Sequence, residues 1–302
     1  MSRAAAAAVA AWLLPAAALA AGLPVVEVAP GLFVHRGVHE EFAPANGGAI
    51  ANLAFVIGGR SVAVIDSGGS RRQGEALLAA IRARTALPVS HVINTHVHPD
   101  HLLGNEAFAG AQIVGHGKLA ARLAENGPHY LAILRRLVGG AIDGTGLVAP
   151  TVQVADDATI DLGGRVLELR AWPTAHTDTD LTVLDAATGT LLAGDLVFME
   201  RIPIVDGSLL GWLNMLDVLE RQPAARVVPG HGPASAPWPE AATAQRHYLE
   251  HLRDSVRAAL RANRTLEQAL DEIAPPPGQS WRLAAENHGR NVTAAFTELE
   301  WE

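Results

Sequence analysis

Three histidines and an aspartate stand within six consecutive positions of this chain: His96, His98, Asp100 and His101, in the stretch NTHVHPDHLLGN at 94–105. With 13 histidines spread over 302 residues, composition does not account for an H-x-H-x-D-H run. Extended backbone alternates its side chains, so His96 and His98 at i and i+2 point to one side. Pro99 keeps His98 extended and is suited to open a helix. Asp100 and His101 then fall in a first helical turn, displaced from the first pair. The run therefore predicts a strand feeding a helix, with two ligand pairs at neighbouring positions, which suits two metal ions better than one.

The chain has no cysteine. Disulfides, thiolate ligands and cysteine nucleophiles are excluded, so any metal must be held by imidazole and carboxylate. A domain of about 280 residues buries enough of its surface to need no disulfide staple. The formal charge is −8, and the basic residues are 22 Arg and the single Lys118, scattered without a basic stripe. That predicts no nucleic-acid partner.

Residues 1–20 read as an export signal, with Arg3 at the start, an apolar middle and Ala18-Leu19-Ala20 at the cleavage position. Pro15 interrupts an apolar run of only about 19 residues, near the lower limit for a membrane span. The expected mature protein, 21–302, is periplasmic or secreted, with no stable membrane insertion once the signal is removed.

Strands come first. VVEVAPGLFVHRG (25–37) and NLAFVIGGRSVAVIDSGG (52–69) are rich in β-branched and aromatic residues, with Gly58-Gly59 as a hairpin turn. GEALLAAIRART (74–85) has helical spacing, and VSHVIN (89–94) returns to strand and runs into the histidine cluster. A helix is expected after the cluster, then the strand AQIVG (111–115) and a helix from about 118 to 126. An amphipathic helix and a Gly-rich loop are expected over 128–150, and strands and turns over 151–198. The last third is helical, with a helical C-terminal portion from about 240 to 302. Strands then helices, twice over, predict two β-sheets face to face with helices outside, in one domain.

Three further ligand candidates stand at predicted strand or loop ends: His176 in WPTAHTDTDL, Asp195 after TLLAG, and His231 after RVV and a Pro-Gly turn. With these in place, the sequence over about 25–235 resembles the metallo-β-lactamase superfamily of dinuclear zinc hydrolases. The resemblance implies an α/β fold, the four-layer αβ/βα sandwich with two mixed sheets. It places His96, His98 and His176 on a first zinc, Asp100, His101 and His231 on a second, and Asp195 between the two. Di-iron members usually carry Glu where this chain has His98, which favours zinc.

Asp66, ending SVAVIDSGG, matches the family's strand-end aspartate and is expected to orient a metal-bearing loop, though an Asp opening a Ser-Gly-Gly turn fits as well locally. Asp180 is a candidate to orient His176; the family often has Gly nearby, where this chain has Asp178 and Thr179. Loop 38–48, with Phe42, is expected to form a flap, and loop 199–213 to present Arg201 to an anionic group. A salt bridge from Arg201 to Glu200, Asp206 or another carboxylate is the equal alternative. His116, His129 and Tyr130 are further cleft candidates, and Trp212 reads as core.

The resemblance implies that a hydroxide shared by two zinc ions attacks a small ester, lactone, thioester or amide, β-lactams included, with Asp100 as proton relay. There is no G-x-S-x-G elbow to supply a serine nucleophile. The stretches 40–57 and 201–219 resemble exported members associated with quinoprotein and sulfur-oxidation systems. The alternative is therefore a non-catalytic metal- or quinone-binding accessory of a periplasmic oxidase.

Overall fold

The computed structural model describes residues 22–302; the export signal read at 1–20 lies outside them. Seven strands form the first sheet in sequence order: β1 (Val26–Ala29), β2 (Leu32–His35), β3 (Leu53–Ile57), β4 (Val62–Ile65), β5 (Val89–Ile93), β6 (Gln112–His116) and β7 (Val152–Val154). The first four pair antiparallel, and β4 to β7 pair parallel. The hairpin expected at Gly58-Gly59 joins β3 to β4, with Gly58 N–H donating to the Ser61 carbonyl at 2.9 Å.

The second sheet comprises β8 (Asp157–Asp161), β9 (Val166–Ala171), β10 (Leu181–Asp185), β11 (Thr190–Phe198), β12 (Arg226–His231) and β13 (Ala236–Pro237), neighbours in the order β13-β12-β11-β10-β9-β8. Only β11 and β12 run parallel; the other pairs are antiparallel.

Side-chain alternation divides the core. In β4, Ala63 and Ile65 face the second sheet and meet Leu167, Leu169, Leu181, Val183 and Leu192. Val62 and Val64 face the other way, toward Leu77 and Ile81 of α1 (Arg71–Arg82). Strand β9 reads the same rule: Leu167 and Leu169 are buried while Val166, Glu168 and Arg170 are exposed. The outer face of the second sheet carries most of the remaining helices. These follow α2 (Pro99–Leu102) and α3 (Leu119–Leu137), and comprise α4 (Leu209–Leu219), α5 (Thr243–Arg261), α6 (Leu266–Glu272) and α7 (Ala284–Leu299). Trp212, Leu216, Tyr248, Leu249, Leu252, Val292 and Phe296 share one core with Leu191 and Val227. Helix, sheet, sheet and helix give the expected four layers. No helix among the described residues is long and apolar enough to cross a membrane.

The structure departs from the sequence reading in three places. The expected break near Asn126 does not occur: α3 continues through Pro128 to Leu137. An interior proline removes one backbone donor and crowds the carbonyl four residues back, yet the helix persists here, with Gly127 buried against Leu123 and Leu147. Strand β11 does not end before Asp195 but runs to Phe198, and β12 continues through Pro229-Gly230 to His231 without a turn. The parallel pairing of these two strands carries register shifts around Gly194, so the strands are re-aimed instead of ended.

Candidate metal centre

All seven predicted ligands converge where the two sheets' strand ends meet. His96 and His98 follow β5, and His98, with φ −69° and ψ 146°, is the extended residue that caps α2. Asp100 and His101 lie in α2 behind Pro99, as the spacing required. His176 comes from the turn between β9 and β10, and Asp195 and His231 from β11 and β12. One ligand atom each from His96, His98, His176 and Asp195 lies within 4.8 Å of the others, and Asp100, His101 and His231 form a second such group.

Asp195 faces both groups. Its Oδ2 is 3.7 Å from His96 Nε2, 3.5 Å from His176 Nε2 and 3.4 Å from His231 Nε2, while Oδ1 is 3.2 Å from His101 Nε2. The approach depends on Gly230, where a Cβ would stand 1.9 Å from Asp195 Oδ1.

Each imidazole is held from behind. His101 Nδ1–H donates to Asp66 at 2.8 Å, His176 Nδ1–H to the Ile204 carbonyl at 2.7 Å, and His231 Nδ1–H to the Ile50 carbonyl at 2.9 Å. His96 Nδ1 meets the Thr95 hydroxyl at 3.0 Å, and that hydroxyl donates on to Asp66 at 2.7 Å. His98 is turned the other way: Nε2–H donates to Asp206 at 3.0 Å, so Nδ1 points inward, 3.0 Å from His176 Nε2. One nitrogen of every ring is thus occupied, which fixes the tautomer and leaves the other with a lone pair facing the cluster. His96 Nε2, His101 Nε2 and Asp195 Oδ1 are buried without any hydrogen-bond partner. Buried polar atoms are rarely left so, and these orphans fit two cations held by nitrogen and oxygen.

The electrostatics of the chain alone divide the imidazoles into two pairs. Burial pushes His96 well below its ordinary value, reinforced by the charge on His101, and burial takes His176 down to about 4. For His101 and His231 burial works in the same direction, but Asp195 and its neighbouring carboxylates outweigh it and hold both above the ordinary histidine value. Burial would raise Asp100 and Asp195, yet the surrounding imidazoles hold both below the usual carboxylate range. The cluster keeps its carboxylates ionised, as metal ligation requires.

Asp66 sits at φ 58°, a strained position for a non-glycine residue. It accepts from Thr95 N–H, the Thr95 hydroxyl and His101 Nδ1–H, so it orients the metal-bearing loop directly. Asp180 does not touch the His176 ring. It accepts from the Thr177 N–H and hydroxyl and so shapes the loop carrying His176, and burial pushes its carboxyl up to about 8. Where glycines were expected, Thr179 accepts from Val97 N–H at 3.2 Å and Asp178 binds Arg122.

A cavity of about 250 Å³ opens onto the cluster, and Phe42, Tyr130 and Arg201 line it. His116 does not: it is buried elsewhere, its Nδ1 accepting from Lys118 N–H, and His129 is exposed on α3. Trp212 is core, its indole N–H donating to the Leu196 carbonyl at 3.1 Å. Burial pushes the Tyr130 phenol up to about 12.

Three residues of the site escaped the sequence. Asp206 bonds His98 and is itself held by Arg290 of α7 at 2.5 Å, while Asn287, also on α7, lines the cavity and donates to Glu41 at 2.8 Å. No local spacing announces them, since each acts across 84 or more positions of the chain.

Residues 47–231 match the model of the metallo-beta-lactamase superfamily, and the chain belongs to that family. Its fold and paired His/Asp clusters are those of a metallo-hydrolase. Among solved structures, the inverting sec-alkylsulfatase Pisa1 from Pseudomonas sp. superposes with a TM-score of 0.73 at 18% identity, covering 92% of this chain and 50% of its own. This chain therefore spans about half the length of that enzyme. A metallo-beta-lactamase from Pontibacter korlensis gives 0.62 at 25% identity, over 76% of this chain and 99% of its own. The structure of TMB-1 gives 0.59 at 20%, over 76% and 97%. No curated protein sequence matches significantly.

Proposed function

We propose that this protein is an exported dinuclear zinc hydrolase of small esters or related acyl and sulfuryl compounds. The observation that carries the reading is the convergence of five tautomer-fixed imidazoles around a carboxylate that faces both groups, at the floor of a cavity that His98, His176 and His231 line. Zinc suits this all-nitrogen-and-oxygen set, and two such ions supply a nucleophile at neutral pH and polarise the substrate oxygen. The chain's own residues do the rest. His96, His98 and His176 would hold one ion and Asp100, His101 and His231 the other, with Asp195 available to both. Asp100 also lines the cavity, so its carboxylate is placed to carry a proton to the departing group. Phe42, Ile133 and Leu134 give the cavity an apolar wall.

Sulfate esters join the esters, lactones, thioesters and β-lactams as substrates to test. The alkylsulfatase likeness covers 92% of this chain, and α7 supplies Asn287 and Arg290 to the cavity. Export to the periplasm or beyond is part of the proposal. An accessory role beside a periplasmic quinoprotein oxidase rests on the two loop stretches alone.

Metal analysis with a chromogenic panel of β-lactam, lactone, thioester, sulfate-ester and phosphodiester substrates tests the reading. The expected result is about two zinc ions per chain and turnover of at least one ester class, abolished by chelation and restored by zinc. A fully loaded protein that turns over nothing on the panel gives preference to the accessory role.

A further inference from the structure

Arg201 is 6% exposed, lines the cavity, and lacks a close carboxylate partner. Its Nε is buried without any hydrogen bond. Neither of the salt-bridge partners named from the sequence, Glu200 and Asp206, engages it: Glu200 pairs with Arg36 and Asp206 with Arg290 and His98. One of its terminal nitrogens lies 3.3 Å from His231 Nδ1, but that nitrogen already donates to Ile50, so the contact satisfies nothing. The other is 3.9 Å from Glu41 Oε1, a long pairing with a carboxylate that is 47% exposed on the flap loop. The same Glu41 oxygen accepts from the Asn287 amide at 2.8 Å. A buried guanidinium costs free energy unless it is paired and hydrogen-bonded, and among the described residues the one carboxylate paired with it is distant and solvated.

Resting on the hydrolase reading, we infer that Arg201 and Asn287 form a subsite for a monoanionic oxyacid group on the substrate, and that Glu41 occupies it in the resting protein as an internal stand-in. The subsite lies on the His231 side of the centre, and Phe42, Ile133 and Leu134 give the same cavity its apolar lining. The ligand chemistry is an amphiphilic anion, a carboxylate or sulfate carried on a short alkyl chain. Guanidinium and amide together present several donors to such a group, and a half-exposed glutamate 3.9 Å from the guanidinium is a weak competitor for them. Binding the anion would swing Glu41 out and leave the flap loop free to move.

The test is direct binding, read by calorimetry on protein with matched metal content, using hexanoate and hexyl sulfate as probes and hexanol as the neutral control. Wild type should bind both anions more tightly than hexanol, and the tighter of the two identifies the source. Arg201→Gln should weaken the anions at least ten-fold and leave hexanol unchanged; Glu41→Gln should tighten them several-fold by removing the competitor. Equal binding of anions by wild type and Arg201→Gln, or no preference over hexanol, overturns the inference. If Arg201→Gln does not fold, Asn287→Ala should weaken and Glu41→Gln strengthen anion binding, and no change in either overturns it equally. A protein that binds the anions through Arg201 yet hydrolyses nothing removes the hydrolase reading and keeps this one. Turnover of neutral esters without any anion effect does the reverse.

Discussion

At the scale of single residues, the centre depends on groups that never touch the reacting atoms. Asp206 determines which nitrogen of His98 faces inward. Partners of this kind typically contribute 10- to 100-fold in metal affinity, so Asp206→Asn should weaken the His96/His98/His176 position by about that factor and the other position less. Chelator competition on the two sites checks it, and equal affinities before and after would remove the role. Gly230→Ala should be more damaging, because the added methyl takes the place of Asp195 Oδ1. Metal analysis of Gly230→Ala should find both positions depleted while circular dichroism stays near wild type.

At the scale of elements, the helices behind the second sheet are joined by a buried polar network. His288 on α7 donates from Nε2 to the Ile273 carbonyl at 3.0 Å and accepts at Nδ1 from the Tyr248 hydroxyl of α5 at 2.9 Å. Burial lowers His288 below its ordinary value of 6.5, the Ile273 carbonyl offsetting part of the effect. A depressed histidine contributes stability that is present above the unfolded value and is lost as pH falls below it. Urea melts should therefore show wild type weaker at pH 5.5 than at 7.5. His288→Gln should begin about 1–3 kcal/mol weaker and depend less on pH. An unchanged pH dependence in that variant would assign the effect elsewhere.

Elements were legible in the sequence wherever local pattern decides them. The β-branched runs of β3 and β4, the Gly58-Gly59 turn between them and the Pro99 break between strand and helix each rest on a few neighbouring residues. The continuity of α3 and the lengths of β11 and β12 did not, because packing and cross-strand pairing override proline and glycine signals there. The same divide runs through the centre. The seven ligands stood out because chemistry concentrates rare residue types at fixed spacing. Asp206, Asn287 and Arg290 are common residues given meaning only by a helix that returns from the far end of the chain.

At the scale of the whole molecule, the two sheets contribute different ligands, three histidines and Asp100 beside the first and His176, Asp195 and His231 from the second. Cations at their junction bind only the assembled pair and so stabilise the folded state by mass action. Chelation should lower the melting temperature by roughly 5 °C or more, recoverable on adding zinc back. The C-terminal helices are equally part of the structure. A chain ending at Trp238 loses Tyr248, Leu249, Leu252, Val256, Val292 and Phe296 from one core. At about 1.5–3 kcal/mol each, that exceeds the whole margin of a typical domain. Such a chain should show no cooperative melting transition, and a sharp one would mean that the helices are an appendage.

Helix α7 also grips the loop in front of α4 at several points. Arg290 holds Asp206, Asn291 holds the Val205 N–H and the Pro203 carbonyl, and the Glu298 carboxylate accepts from Ser208 and Leu209 at the start of α4. These contacts join positions 84 to 90 residues apart. Every candidate ligand precedes α7 in the chain, so those side chains can gather before the clasp that sets the angle of His98 is in place. Docking of α7 is in this way the step that finishes the geometry of the centre.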